Sequence, residues 1–214
     1  TTQTTLSKSV DCHGISVHRG REVRVSLRPA PADTGVIFRS RHGVDVPARV
    51  GSVVGSAQST QLGVGEARIS TVEHLLAALR AGGLDNVVVE TDDEELPILD
   101  GSAADWVALL ERAGRRSVSR PRQYAEVRKT VTVAWGERRI SISPADGFSL
   151  RCEIVFDHPM IGHQSIDIAD LTPETFEQEL AGARTFGFEA DAQRLRDAGL
   201  ARGASLENTL VLSE

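Results

Sequence analysis

The apolar positions change period along the first half of the chain, and each change marks a new element. Val23, Val25 and Leu27 alternate with Arg24, Ser26 and Arg28, which predicts a strand with one buried face. Pro29 and Pro31 end it, and GVIFR at 35–39 reads as the next strand. From Ser70 the period lengthens: Val72, Leu75, Leu76 and Leu79 recur at helical spacing until Gly82-Gly83. NVVVE at 86–90 reads as a buried strand. A second helix follows Asp100-Gly101-Ser102, with Trp106, Leu109, Leu110 and Ala113 on one stripe and Gly114 beyond its end.

Residues 115–123, RRSVSRPRQ, read as a basic linker punctuated by Pro121, its charges solvated. Strands then return in VRKTVTVAW, RRISISP and SLRCEIVF, separated by Pro144, Asp146 and Gly147. A helix with Pro173 at its first position turns Phe176 and Leu180 inward; a shorter one spans about 191–198 and leads to a strand at TLVL. The expected architecture is α+β in two halves, 1–120 and 124–214, without an internal sequence repeat. The second half has no ending to match the first, which suggests a truncated second domain.

Composition narrows the function. With 40% hydrophobic and 25% charged residues the chain is that of a folded protein rather than a disordered one. A net charge of −6 with 4% aromatics leaves neither the basic face nor the stacking surface that nucleic acid requires. Cys12 and Cys152 make no disulfide framework and no thiolate zinc cluster, so a reducing, cytoplasmic setting is expected. No apolar run is long enough to insert stably in a membrane, and TTQTTLSKSV carries no signal-peptide core.

The most informative chemistry lies in Ser70-Thr71-Val72-Glu73-His74. On a helix, Glu73 and His74 diverge by roughly a quarter-turn, so His74 can face a metal while Glu73 sits beside a water. Zinc lowers the pKa of water to about 7, and a carboxylate can take the proton during attack on an amide. Ser70 and Glu73 equally fit a capping box, and the residues alone leave both readings open. In LPILDGSAA (96–104), Asp100 or Ser102 suits a helix cap. In Arg184-Thr185-Phe186-Gly187-Phe188, Thr185 could donate to an oxyanion, or the segment could be an ordinary helix exit turning at Gly187. His18 and His158 are candidate substrate contacts. No phosphate-binding glycine loop and no G-x-S-x-G elbow occurs.

Together, Gly14 to His18 with Gly20, LRPAPADTGVIFR (27–39), ISTVEHLLAAL (69–79), LDNVVVE (84–90), ELPILDGSAADW (95–106) and ARTFGF (183–188) resemble the UDP-3-O-acyl-N-acetylglucosamine deacetylase family over essentially the whole chain. The resemblance implies two domains, each a sheet packed with two helices, with the active site between them. It implies Zn2+ as cofactor, His74 as a zinc ligand, Glu73 as general base and Thr185 as oxyanion donor. Phe186 would pack near the sugar, and 188–209, opening with Phe188 as a further substrate contact, would form an insert whose apolar passage holds the acyl chain. Leu200, Ala201, Ala204 and Ser205 would line that passage, with Leu62 nearby. The implied reaction hydrolyses the N-acetyl amide of UDP-3-O-acyl-N-acetylglucosamine with water, a committed step of lipid A synthesis, by a protein monomeric at full length. The family's remaining zinc ligands, in a His-Lys-x-x-Asp segment, and a further catalytic histidine would fall beyond Glu214. The chain alone is therefore expected to bind zinc weakly and not to turn over. A non-catalytic relative that binds UDP-sugar or acyl ligand is the alternative. Ala204 departs from the family's glycine, and Arg202 adds charge near the passage.

Overall fold

Strand β1 (Thr2–Leu6) carries Leu6 into the core, and β2 (Val10–Ile15) and β3 (Glu22–Pro29) follow as an antiparallel hairpin. In the computed structural model, which describes residues 1–213, the alternation seen in sequence is realised in β3: Val23, Val25 and Leu27 are buried. Next come β4 (Val36–Arg39), β5 (Asp45–Pro47), β6 (Val53–Gly55), β7 (Gln61–Val64) and β8 (Ala67–Ser70). Helix α1 (Glu73–Ala81), β9 (Val87–Thr91), α2 (Ala104–Ala113) and β10 (Arg115–Pro121) complete this stretch. Strands β2-β3-β9-β4-β5 make one sheet, antiparallel except for the parallel β4–β9 pair, and β6-β7-β8 make a second, antiparallel one. Helices α1 and α2 contact each other, and Leu75, Leu79, Trp106 and Leu109 enter the same core cluster as Val25, Leu27, Phe38 and Val89. Removing each such side chain from water contributes roughly 1.5–3 kcal/mol.

Two local expectations are corrected. The helix does not open at Ser70: β8 runs through Ser70, Thr71 takes a left-handed φ of 59°, and α1 begins at Glu73. The capping box is not made, because the Ser70 hydroxyl donates to Glu94 O and the Glu73 carboxylate accepts the Thr60 N–H. The basic stretch after Gly114 is not a linker but strand β10, paired with β1. Two of its arginines have fixed acceptors: Arg115 donates to Gly82 O and Arg120 to Asp33.

A separate compact unit spans Pro121–Thr172. It consists of two antiparallel hairpins, β11 (Val131–Trp135) with β12 (Arg138–Ile142), and β13 (Leu150–Val155) with β14 (His163–Ile168). Among its described residues, Ile168 is the one buried apolar side chain.

The rest of the chain, Pro173–Glu214, clusters with Thr1–Arg120, so residues expected as one second half are divided between the two units. Here lie α3 (Pro173–Glu179), β15 (Phe186–Phe188), α4 (Glu189–Asp197) and β16 (Leu210–Leu212). Gly187 is not a turn: it sits in β15, which pairs parallel with β16. The α+β class expected from sequence is the class observed. Among the described residues no helix is long and apolar enough to cross a membrane.

Candidate active site

A cavity of about 330 Å³ is lined by the start of α1, the β2–β3 turn, β15, one side of α4 and the loop after it, all within the larger unit. Of the residues expected at the site, His18, Glu73, His74, Thr185, Phe186, Phe188, Ala201 and Ala204 line it. Leu62 does not; it is 2% exposed in β7 and belongs to the core. Leu200 and Ser205 lie off the lining, and Ser205 instead caps the turn to Thr209 by accepting backbone N–H groups from Asn208 and Thr209. His158 belongs to the smaller unit, where its Nδ1 accepts the Met160 N–H at 3.2 Å. The Arg202 side chain is exposed and does not line the cavity.

The two groups at the start of α1 are held differently. The His74 ring places Nδ1 3.0 Å from Ser102 O. A carbonyl only accepts, so Nδ1 carries the proton and Nε2 keeps its lone pair, the tautomer of a metal ligand or a base. Glu73 Oε1 accepts the Thr60 N–H, while Oε2 is buried without a protein partner. His18 Nδ1 is likewise buried without one. A buried polar atom left unpaired costs on the order of 1–3 kcal/mol, so two of them around one cavity call for a functional reason.

Loop 100–103 organises these groups. Asp100 O accepts from Arg184 Nε (2.8 Å), Gly101 O from the Thr185 N–H (2.7 Å), and Ser102 O from the His74 ring (3.0 Å). The Asp100 carboxylate stiffens the loop by accepting the Ser102 N–H at 2.9 Å and its hydroxyl at 2.8 Å. Gly101 is at φ +88°, and a Cβ there would lie 1.9 Å from Asn208 O, so only glycine fits. Thr185 is pinned on its other side too, its carbonyl accepting the Leu210 N–H at 3.0 Å. The loop between Ala201 and Ala204, both on the lining, is held by the same economy of side chains. Gly203 N–H donates to Val17 O at 3.0 Å, and a Cβ on Gly203 would lie 2.2 Å from Ser16 O.

The sequence reading missed Thr71, Ile98, Asp191, Arg194 and Leu195, which also line the cavity. A helical wheel of α4 could have found the last three, because Asp191, Arg194 and Leu195 recur at the spacing of one helix face. Nothing in the local pattern signals Thr71, whose place depends on its left-handed backbone.

Chemically, the cavity combines a carboxylate with one unpartnered oxygen, an imidazole with a free Nε2, a threonine hydroxyl and an apolar wall. That is the equipment of an acid–base enzyme acting on a substrate with an apolar part. A profile of the family described as LpxC, UDP-3-O-acyl N-acetylglycosamine deacetylase, matches residues 3–214. A UDP-3-O-acyl-N-acetylglucosamine deacetylase of Anaeromyxobacter sp. is 45% identical over 213 residues, covering 99% of the chain and 70% of the relative. That of Oleidesulfovibrio alaskensis is 44% identical over 215 residues, with 99% and 70% covered. A third, of Pseudomonas entomophila, is 39% identical over 216 residues, with 99% and 71% covered. The chain belongs to the UDP-3-O-acyl N-acetylglycosamine deacetylase family.

Proposed function

We propose that this chain acts in the zinc-dependent hydrolysis of the N-acetyl amide of UDP-3-O-acyl-N-acetylglucosamine, a cytoplasmic step of lipid A synthesis. The observation that carries the reading is the pairing of Glu73 Oε2, buried and unpartnered, with a His74 ring whose Nε2 is left free. Family membership and the names of the relatives support the substrate. Two free cysteines and no membrane-crossing helix among the described residues agree with the setting.

Whether zinc suits these residues can be judged from the donor set. His74 offers one nitrogen, with the Ser102 carbonyl as the outer-shell partner that metal-bound histidines usually have. Catalytic zinc takes three protein ligands, and among the described residues no group of three candidate side chains is close enough. The remaining ligands are therefore proposed to come from sequence outside residues 1–214. Zinc held there would lower the pKa of water toward neutrality and polarise the amide carbonyl. The chain's own groups do the rest. Glu73 takes a proton from water as its oxygen bonds to the carbonyl carbon, and the Thr185 hydroxyl donates to the oxyanion. The C–N bond then breaks as Glu73 returns that proton to the nitrogen, and acetate leaves. Phe186 would pack near the sugar, and Phe188, Leu195 and Ala204 would take the acyl chain.

Zinc titration and acetate release, on the 214-residue chain and on a version extended through a His-Lys-x-x-Asp segment, test this. The extended protein should bind one zinc tightly and turn over; the shorter chain should bind it weakly and release no acetate. In the extended protein Glu73→Gln should keep zinc and lose roughly 10²–10⁴ in turnover, whereas His74→Ala should lose both. Undiminished turnover in Glu73→Gln would overturn the base assignment.

A further inference from the structure

Glu95 is 1% exposed, a carboxylate almost wholly out of water, yet it does not line the cavity. The three hydrogen bonds its carboxylate accepts come from two segments that do. Oε1 accepts the His18 N–H at 2.8 Å and the Thr71 hydroxyl at 3.2 Å, and Oε2 accepts the Arg19 N–H at 2.8 Å. Its backbone is tied to the same neighbourhood: Ser70 bridges Glu95, the Ser70 N–H donates to Glu94 O, and the Leu96 N–H donates to Ser70 O. One residue thus joins the turn that carries His18 to the segment that delivers Glu73 and His74.

Each end of that join needs holding. Thr71 sits at φ 59°, a conformation that β-branched residues rarely adopt and that the surroundings must enforce. The turn at 16–21 also accepts the backbone of the loop after α4, with the Arg202 N–H on His18 O (3.2 Å) and the Gly203 N–H on Val17 O (3.0 Å). A carboxylate can accept two successive backbone N–H groups, one on each oxygen; an amide cannot, because its NH2 would face an N–H. Burying a charge is unfavourable unless it is hydrogen-bonded, and the three donors here offset that loss.

We propose that Glu95 is a positioning residue of this enzyme: it sets the His18 imidazole against the cavity and holds the left-handed step at Thr71 that starts α1. This rests on the reading of the cavity as the substrate site. The test compares Glu95→Gln with Leu109→Ala, a core change on α2 away from the cavity, in the version extended through a His-Lys-x-x-Asp segment. In Glu95→Gln the His18 imidazole cross-peak in a long-range 1H–15N spectrum should leave its wild-type position. Affinity for UDP-3-O-acyl-N-acetylglucosamine, read by calorimetry, should fall about tenfold or more. Leu109→Ala should lower Tm and leave both readouts at wild type. A His18 cross-peak and an affinity in Glu95→Gln that match Leu109→Ala overturn the proposal. Should Glu95→Gln not fold, Glu95→Asp, which keeps the charge one methylene short of its partners, decides by the same two readouts. If the wild-type chain does not bind the acylated UDP-sugar, the substrate reading fails, while the His18 cross-peak still decides the role of Glu95.

Discussion

The same alternation of apolar and polar residues has opposite outcomes in the two compact units. In β3, Val23, Val25 and Leu27 are buried against Phe38, Val89 and the helices. In β11 and β12, Val131, Val133 and Trp135 stand on one face with Ile142 and Ile140 opposite, and every one of them is exposed, Trp135 to 88%. Period fixes which face of a strand is apolar; it does not say what covers that face. Two-stranded ribbons have little means of burying a face of their own. All the cavity-lining residues belong to the unit that holds the buried core cluster, where polar groups can be held to a fixed geometry.

The two tryptophans give the sharpest way to break this comparison. Trp106→Ala should cost roughly 3–5 kcal/mol in chemical denaturation, while Trp135→Ala should stay within about 0.5 kcal/mol. Equal losses would mean that exposure is no guide to stability here. The two cysteines extend the contrast to reactivity. Burial, with Asp11 adding to it, pushes the Cys12 thiol up from 9.0 to about 11, whereas Cys152 is exposed on β13. Alkylation at pH 8 followed by mass spectrometry should label Cys152 first and Cys12 roughly 10²-fold more slowly.

The smallest effect concerns acid. Hydrogen bonds from Gln3 (2.7 Å) and Arg120 (2.8 Å) hold the Asp33 carboxyl below its usual range, and Arg39 does the same for Asp45. A depressed carboxyl stabilises the fold above its unfolded pKa of about 4 and loses that contribution as pH falls through the folded value. Asp33→Asn should therefore slightly flatten the fall in Tm between about pH 4 and pH 2, and Tm at pH 7 should drop a little. An unchanged acid limb would remove Asp33 from the account.

Much of this was legible in the sequence because it depends on neighbours along the chain. The strands at 22–29 and 87–91, both helices of the first half, and the Glu73-His74 pair all announce themselves by spacing or residue type. The misreadings share a cause. Ser70 and Glu73 have the spacing of a capping box, but Glu94 and Thr60 take their side chains, and both partners come from other segments. Strand β10 lacked an apolar face to reveal it and is defined by its pairing with β1, more than a hundred residues earlier. The family resemblance implied Leu62 near the site, yet in β7 it is buried in the core, while Gln58 and Ser59 line the cavity. Glu95 reads in sequence as one acid among five in DDEEL and its surroundings; only the tertiary fold separates it from the solvated Asp92 and half-exposed Glu94.

Loop 100–103 has one more consequence. Three carbonyls in succession, on Asp100, Gly101 and Ser102, receive Arg184, Thr185 and His74. Successive Cα atoms lie about 3.8 Å apart across planar peptides, and that spacing does not relax. The interval between the imidazole and the threonine is therefore graduated by covalent bonds rather than by rotamers, a ruler that side-chain variation elsewhere in the cavity leaves untouched.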